Sequence, residues 1–295
     1  MKPTSHSSDR SPRDGAAAWL PAELACALAH GVFALAFQPL VDLRSGRVSG
    51  CEALIRWYHP QRGTISPAAF IPAAEESGRI VAIGEWVPAQ ACAQARLWPE
   101  EVRLAVNLSP VQLASPGLIQ AVRDALARAE LPPRRLELEI TETAPLPDGA
   151  KALTALHLLR ELGVRSALDD FGTGYASLGY LRCFLFDRIK IDQSFVRDLA
   201  SGQEPDAGTI PRAIMRLGTE LSMGTKAEGI ETPAQRDLLA RLGCLEGQGF
   251  LFSRPRPAAE IPGLIARLTR FCPSPAPPAR KMTATRKILA AAMPG

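Results

Sequence analysis

Short runs of alternating or continuous apolar residues recur along this chain, separated by segments whose apolar positions fall at helical spacing. The strand-like runs are 35–42, 49–57, 103–108, 136–141, 165–170, 187–191, 224–228 and 249–252. Helical spacing marks 79–98, 116–129, 149–162, 209–221 and 234–242. Eight strands with helices between them predict an α/β fold of the TIM-type (β/α)8 barrel class. A doubly wound sheet shares the alternation, but it usually follows its first strand with a glycine-rich phosphate loop, and none follows 35–42. Pro88 falls inside segment 79–98, where it removes a helical hydrogen bond and crowds the carbonyl of Gly84, so a kink is expected. The ends break the pattern. Residues 1–16 and the Pro-rich, basic stretch 273–295 bury too little to order themselves, leaving 17–272 as the folded barrel.

Composition narrows the function classes. Of 295 residues, 46% are hydrophobic and 22% charged, which is ordinary for a globular protein. The net charge of +4 resides in Arg280, Lys281, Arg286 and Lys287 of the tail, so the barrel itself is neutral and no nucleic-acid polymer is an expected partner. The six cysteines form no CxxC pair and read as buried thiols. A polar N-terminus, and no apolar stretch of the roughly 20 residues that span a bilayer, predict a cytoplasmic protein with no integral membrane segment.

The candidate chemistry sits where the strands end, the place at which barrel enzymes carry their reactive groups. Period-2 geometry puts Glu52, Leu54 and Arg56 on one face of the second strand. The third ends at Asn107, the fourth carries Glu137, Glu139 and Glu142, and the fifth closes on Asp169 and Asp170. The sixth supplies Lys190 and Asp192, and the seventh Glu228 and Glu231. Singly, Glu137 and Glu139 read as the wet face of a strand and Lys190 as a surface charge. Together, carboxylates converging on one mouth repel one another unless cations neutralise them. Oxygen ligands in a chain with four histidines favour Mg2+ or Mn2+, and Asp169-Asp170 is suited to bridging two ions. Two-metal sites suit in-line attack of water on a phosphodiester, with Arg56 or Lys190 on a phosphate oxygen. Lys226, two residues before Glu228, has two readings: it pairs with a site carboxylate and competes with a metal, or it reaches solvent at the barrel floor.

From Val32-Phe33 to Arg254-Pro255 the sequence resembles the EAL-domain family. The resemblance rests on Phe37-Gln38-Pro39-Leu40-Val41, Glu52-Ala53-Leu54 with Arg56-Trp57, Val106-Asn107-Leu108-Ser109-Pro110, Glu139-Ile140-Thr141-Glu142 and Asp169 to Tyr175. It continues through Lys190-Ile191-Asp192, Ala227-Glu228-Gly229-Ile230-Glu231 and Gly247-Gln248-Gly249-Phe250. The resemblance implies hydrolysis of cyclic di-GMP to linear pGpG, with two Mg2+ or Mn2+ ions held by Glu52, Asn107, Glu139, Asp169, Asp170 and Glu228. It assigns Lys190 to the attacking water, Gln38, Leu54, Arg56, Asp192 and Gln248 to the ligand, and Glu142 and Glu231 to support of the site. It also implies a homodimer, coupled to the metals through loop 171–178. Lys226, Leu185 and Leu245 depart from the family's usual residues. The rival reading is an inactive EAL module that binds cyclic di-GMP or a protein partner. Missing ligand residues would mark it, and none is missing.

Overall fold

Strand β5 (Leu136–Thr141) shows how the alternation becomes a barrel. Leu136, Leu138 and Ile140 are buried in the apolar core, while Glu137 and Glu139, equally buried, turn to the other face. The computed structural model describes residues 20–141, 149–172, 186–199 and 208–270. Within them β1 (Phe33–Asp42), β2 (Val48–His59), β4 (Arg103–Leu108), β5, β6 (Arg165–Phe171), β7 (Arg188–Ile191), β8 (Gly224–Ala227) and β9 (Glu246–Gly247) close into an eight-stranded barrel. Two short strands, β3 (Gly63–Ile65) and β10 (Arg256–Pro257), extend the sheet on β2 and β1.

The described helices are α1 (Leu20–His30), α2 (Pro67–Glu76), α3 (Ile80–Ala95), α4 (Pro110–Leu113), α5 (Leu118–Ala129), α6 (Gly149–Glu161), α7 (Gln193–Asp198), α8 (Thr209–Glu220), α9 (Pro233–Leu242) and α10 (Ile261–Arg270). Their apolar faces pack on the outward aliphatic residues of the strands. Helix α3 runs through Pro88 without a break. None of the described helices is long and apolar enough to cross a membrane.

The barrel departs from a plain repeat at its start and its end. Only residues 43–47 join β1 to β2, far short of the dozen or so residues that a parallel crossover needs, so the pair forms an antiparallel hairpin. Asp42 closes that turn, its side chain accepting from Ser45 N at 2.6 Å and its carbonyl from Gly46 N at 2.7 Å. The other seven strands run parallel from β2 to β9. The last strand is Glu246–Gly247, not 249–252 as the pattern predicts. Residues 249–252 instead form a turn, with Phe252 N donating to Gly249 O at 3.1 Å. The apolar character of Leu251 and Phe252 comes from packing on the core, which periodicity cannot distinguish from a strand.

The expected tails, together with Glu142, Leu185, Cys183, Cys272 and most of loop 171–178, lie outside the described residues. Of the other cysteines, Cys51, Cys92 and Cys244 are buried, and burial pushes each thiol up to about 12. Cys26 is exposed, contrary to expectation, because it lies on the outer side of α1.

Candidate active site

Glu52 within β2 and the C-terminal halves of β4, β5, β6, β7 and β8 bring one group of polar side chains together. Glu52 is fixed through both oxygens: Asn107 Nδ2 donates to Oε1 and Gln248 Nε2 to Oε2, each at 2.6 Å. Gln248 is also tied to Gln38 Oε1 at 2.9 Å, and Gln38 donates to Ser253 O at 3.0 Å. Lys190 stands among the acids, its Nζ 2.5 Å from Glu139 Oε2, 2.5 Å from Glu228 Oε1, 3.1 Å from Asp169 Oδ2 and 3.6 Å from Glu52 Oε1.

Asp169 and Asp170 are consecutive, so in regular strand geometry they would point to opposite faces. Asp170 instead takes φ of 55°, a left-handed conformation that aspartate tolerates better than most residues, and the β6–β7 register slips between Leu168 and Phe171. As a result Asp169, Asp170 and Glu228 each offer a carboxylate oxygen, and the three atoms lie within 4.8 Å of one another. Hard oxygen donors at that spacing fit a divalent cation such as Mg2+ or Mn2+.

Below this level the barrel carries further charge where aliphatic layers are usual. Lys226, 1% exposed, reaches Glu137 Oε1 at 2.6 Å and also pairs with Glu139 Oε1. Arg188 Nε lies 2.9 Å from Glu137 Oε2, and its Nη1 lies 2.5 Å from Glu246 Oε2; Arg103 pairs with the other oxygen of Glu246. Glu137, Glu139 and Lys190 are therefore interior groups, not a wet face and a surface charge. Lys226 pairs with Glu139, a carboxylate of the site, and does not reach solvent at the barrel floor.

Burial works to raise Glu52, Glu137, Glu139, Asp170 and Glu228, and the local cations decide which remain high. For Glu139, Lys190 and Lys226 outweigh burial and bring it down to about 2, and Lys226 with Arg188 likewise lowers Glu137. Burial and the neighbouring Asp169 push Asp170 up to about 6. Burial, with the charges of Glu52 and Asp169, overrides Lys190 and pushes Glu228 up to about 8. Glu52 is raised as well, by burial first. Burial works against the Lys190 ammonium, but the surrounding carboxylates overcome it and hold Lys190 well above its ordinary value.

A cavity of about 490 Å³ opens over this group. Gln38, Glu52, Leu54, Arg56, Asp169, Lys190, Glu228, Glu231 and Gln248, all expected at the site, line it. Asn107 and Glu139 do not line it but bond to Glu52 and Lys190, which do. Asp192 accepts from Ser194 N at 2.9 Å and caps α7, and is not among the lining residues. The lining also includes Gln193, Pro255 and Phe250, which sequence reasoning left out of the site. Phe250 is 48% exposed with the Arg254 guanidinium 4.0 Å over its ring. Its place in a supposed strand hid it; the signal was an aromatic residue directly after Gln248-Gly249.

Known proteins match this chain in sequence and in fold. A family model described as EAL domain matches residues 22–255. The chain is 44% identical over 248 residues to the bifunctional diguanylate cyclase/cyclic di-GMP phosphodiesterase MucR of Pseudomonas aeruginosa, covering 83% of this chain and 36% of MucR. It is 40% identical over 264 residues to the cyclic di-GMP phosphodiesterase NbdA of the same organism, covering 88% of this chain and 33% of NbdA. It thus spans about a third of the length of these relatives. Among solved structures, the PaMucR phosphodiesterase in complex with c-di-GMP superposes with a TM-score of 0.76 at 44% identity, covering 82% of this chain and 99% of that one. The EAL enzyme Bd1971, bound to cAMP and cyclic di-GMP, gives 0.80 at 31% identity, covering 86% and 70%. A barrel with this order of strands, matched over more than three-quarters of its length, makes the chain a member of the EAL-domain family.

Proposed function

We propose that this chain hydrolyses cyclic di-GMP to linear pGpG at the mouth of its barrel. The observation that carries the reading is the cavity of about 490 Å³ in which Glu52, Asp169 and Glu228 surround Lys190. Glu52, Asn107, Glu139, Asp169, Asp170 and Glu228 would hold two divalent ions, Mg2+ or Mn2+. When bound, such ions neutralise phosphate charge and make water acidic enough to attack. The chain's own contribution is positioning. Gln38, Gln248 and Asn107 fix Glu52, so that ligand needs no reorganisation when the substrate arrives. Lys190, held as an ammonium, donates and orients; Arg56 at the cavity wall suits a phosphate oxygen. Phe250 and Leu54 offer apolar surface to a base. In the reaction a new bond forms between water oxygen and phosphorus, one ester P–O bond breaks, and the departing ribose oxygen takes up a proton.

The test is incubation of purified protein with cyclic di-GMP in Mg2+, in Mn2+ and in chelator, with products separated by chromatography. Metal-dependent pGpG is the expected result. Tight cyclic di-GMP binding without product under either metal would make the chain a receptor.

A further inference from the structure

Lys190 and Lys226 are register partners on the neighbouring parallel strands β7 and β8, and both side chains point into the barrel. Two ammonium groups side by side in a dry interior repel unless an anion separates them. Glu139 does so with one oxygen for each: Oε2 to Lys190 at 2.5 Å, Oε1 to Lys226. Glu137, two residues earlier on the same face of β5, holds Lys226 from below at 2.6 Å and is itself held by Arg188. Lys226 therefore cannot swing away from Glu139, and Glu139 cannot turn Oε1 upward.

We propose that Lys226 is a positioning residue that restricts Glu139 to a single upward oxygen and acts as a resident counter-charge, holding the carboxylates together before any ion enters and weakening the affinity for ions. The inference rests on the reading of the mouth as a divalent-ion site. It gives this barrel a built-in trade: lower dependence of the fold on metal, and looser metal binding.

The test compares the full chain with Lys226→Met, which keeps length and removes charge. The readouts are Mn2+ affinity by calorimetry and melting temperature in chelator and in saturating Mn2+. In the variant, Mn2+ binds at least about tenfold more tightly, as expected when a positive charge a few ångströms from the ligands is removed. Its melting temperature in chelator falls, and Mn2+ raises it further than in the wild type. A lysine that merely packs the interior would leave Mn2+ binding unchanged or weaker on substitution, and that result overturns the inference alone. A wild-type chain that binds no Mn2+ at the mouth overturns the ion-site reading and this inference with it. If Lys226→Met does not fold in chelator, the double variant Lys226→Met with Glu137→Gln carries the test, because it restores the lower charge balance while still releasing Glu139. Tighter Mn2+ binding is again expected, and wild-type affinity would refute the role.

Discussion

At the scale of single residues, Glu52 and Lys190 play separable parts. Glu52 has both oxygens engaged by amide donors, so its orientation is set before an ion or substrate arrives. Glu52→Ala removes a proposed metal ligand and leaves the Asn107 and Gln248 amides without their carboxylate acceptor, and turnover of cyclic di-GMP should vanish; full activity would remove Glu52 from the site. Lys190 is the shared cation of four carboxylates. Lys190→Met should lower stability in chelator by about 3–5 kcal/mol, the usual result of stranding buried charge. Added Mn2+ should restore the melting temperature, because a divalent ion satisfies the same oxygens, while pGpG formation stays abolished. Recovery of turnover along with stability would reduce Lys190 to a structural counter-ion. The positions of these groups were legible from strand-end carboxylates and period-2 spacing. The charge ladder beneath them was not, since Glu137, Arg188 and Glu246 are far apart in sequence and acquire meaning only when the barrel closes.

At the scale of elements, alternation predicted seven of the eight barrel strands within about two residues, because each has an aliphatic face to bury. It missed the antiparallel start of the barrel, which is decided by the length of link 43–47, and it misplaced the final strand. The turn at 249–252 depends instead on a close approach. A Cβ on Gly249 would lie 2.1 Å from Ile230 O, and Gly249 is flanked by Gln248 and Phe250, both of which line the cavity. Gly249→Ala must push these backbones apart and shift the two side chains that line the cavity. Cyclic di-GMP affinity, measured by calorimetry, should fall by at least about tenfold, in line with the penalty for disturbing groups that orient a site. At the neighbouring turn, Thr232 and Gln235 form a capping box that starts α9 just after Glu228–Glu231. Thr232→Ala should cost about 1 kcal/mol, seen as a lower urea midpoint. The two substitutions separate the elements: one acts chiefly on binding, the other on stability.

At the scale of the whole molecule, the charged interior makes stability, pH and ion binding a single coupled property. Burial followed by neighbouring acids lifts Asp170 to about 6, and burial with Glu52 and Asp169 lifts Glu228 to about 8 against the pull of Lys190, so the ion-free fold holds protons that the unfolded chain has released. Stability rises with pH only where the unfolded state binds more protons, so this pair stabilises the ion-free protein at low pH. That contribution is lost as pH climbs from about 4 towards 8. Glu139 acts in the opposite sense: burial opposes its ionisation, Lys190 and Lys226 overcome it, and its stabilisation is present above 4.5 and lost as pH falls towards about 2. The windows hardly overlap, so the melting temperature in chelator should peak between about pH 4 and 4.5 and decline towards pH 8. A divalent ion needs Asp170 and Glu228 as carboxylates, so binding must expel their protons and strengthen as pH rises. Melting curves in saturating Mn2+ should therefore diverge from those in chelator between pH 6 and 8. At pH 7, calorimetry in buffers of different ionisation enthalpy should detect release of about one proton, chiefly from Glu228. Parallel curves with no proton release would mean that the ion binds away from Asp170 and Glu228. The barrel mouth would then be a ligand-binding surface without the ions that hydrolysis requires.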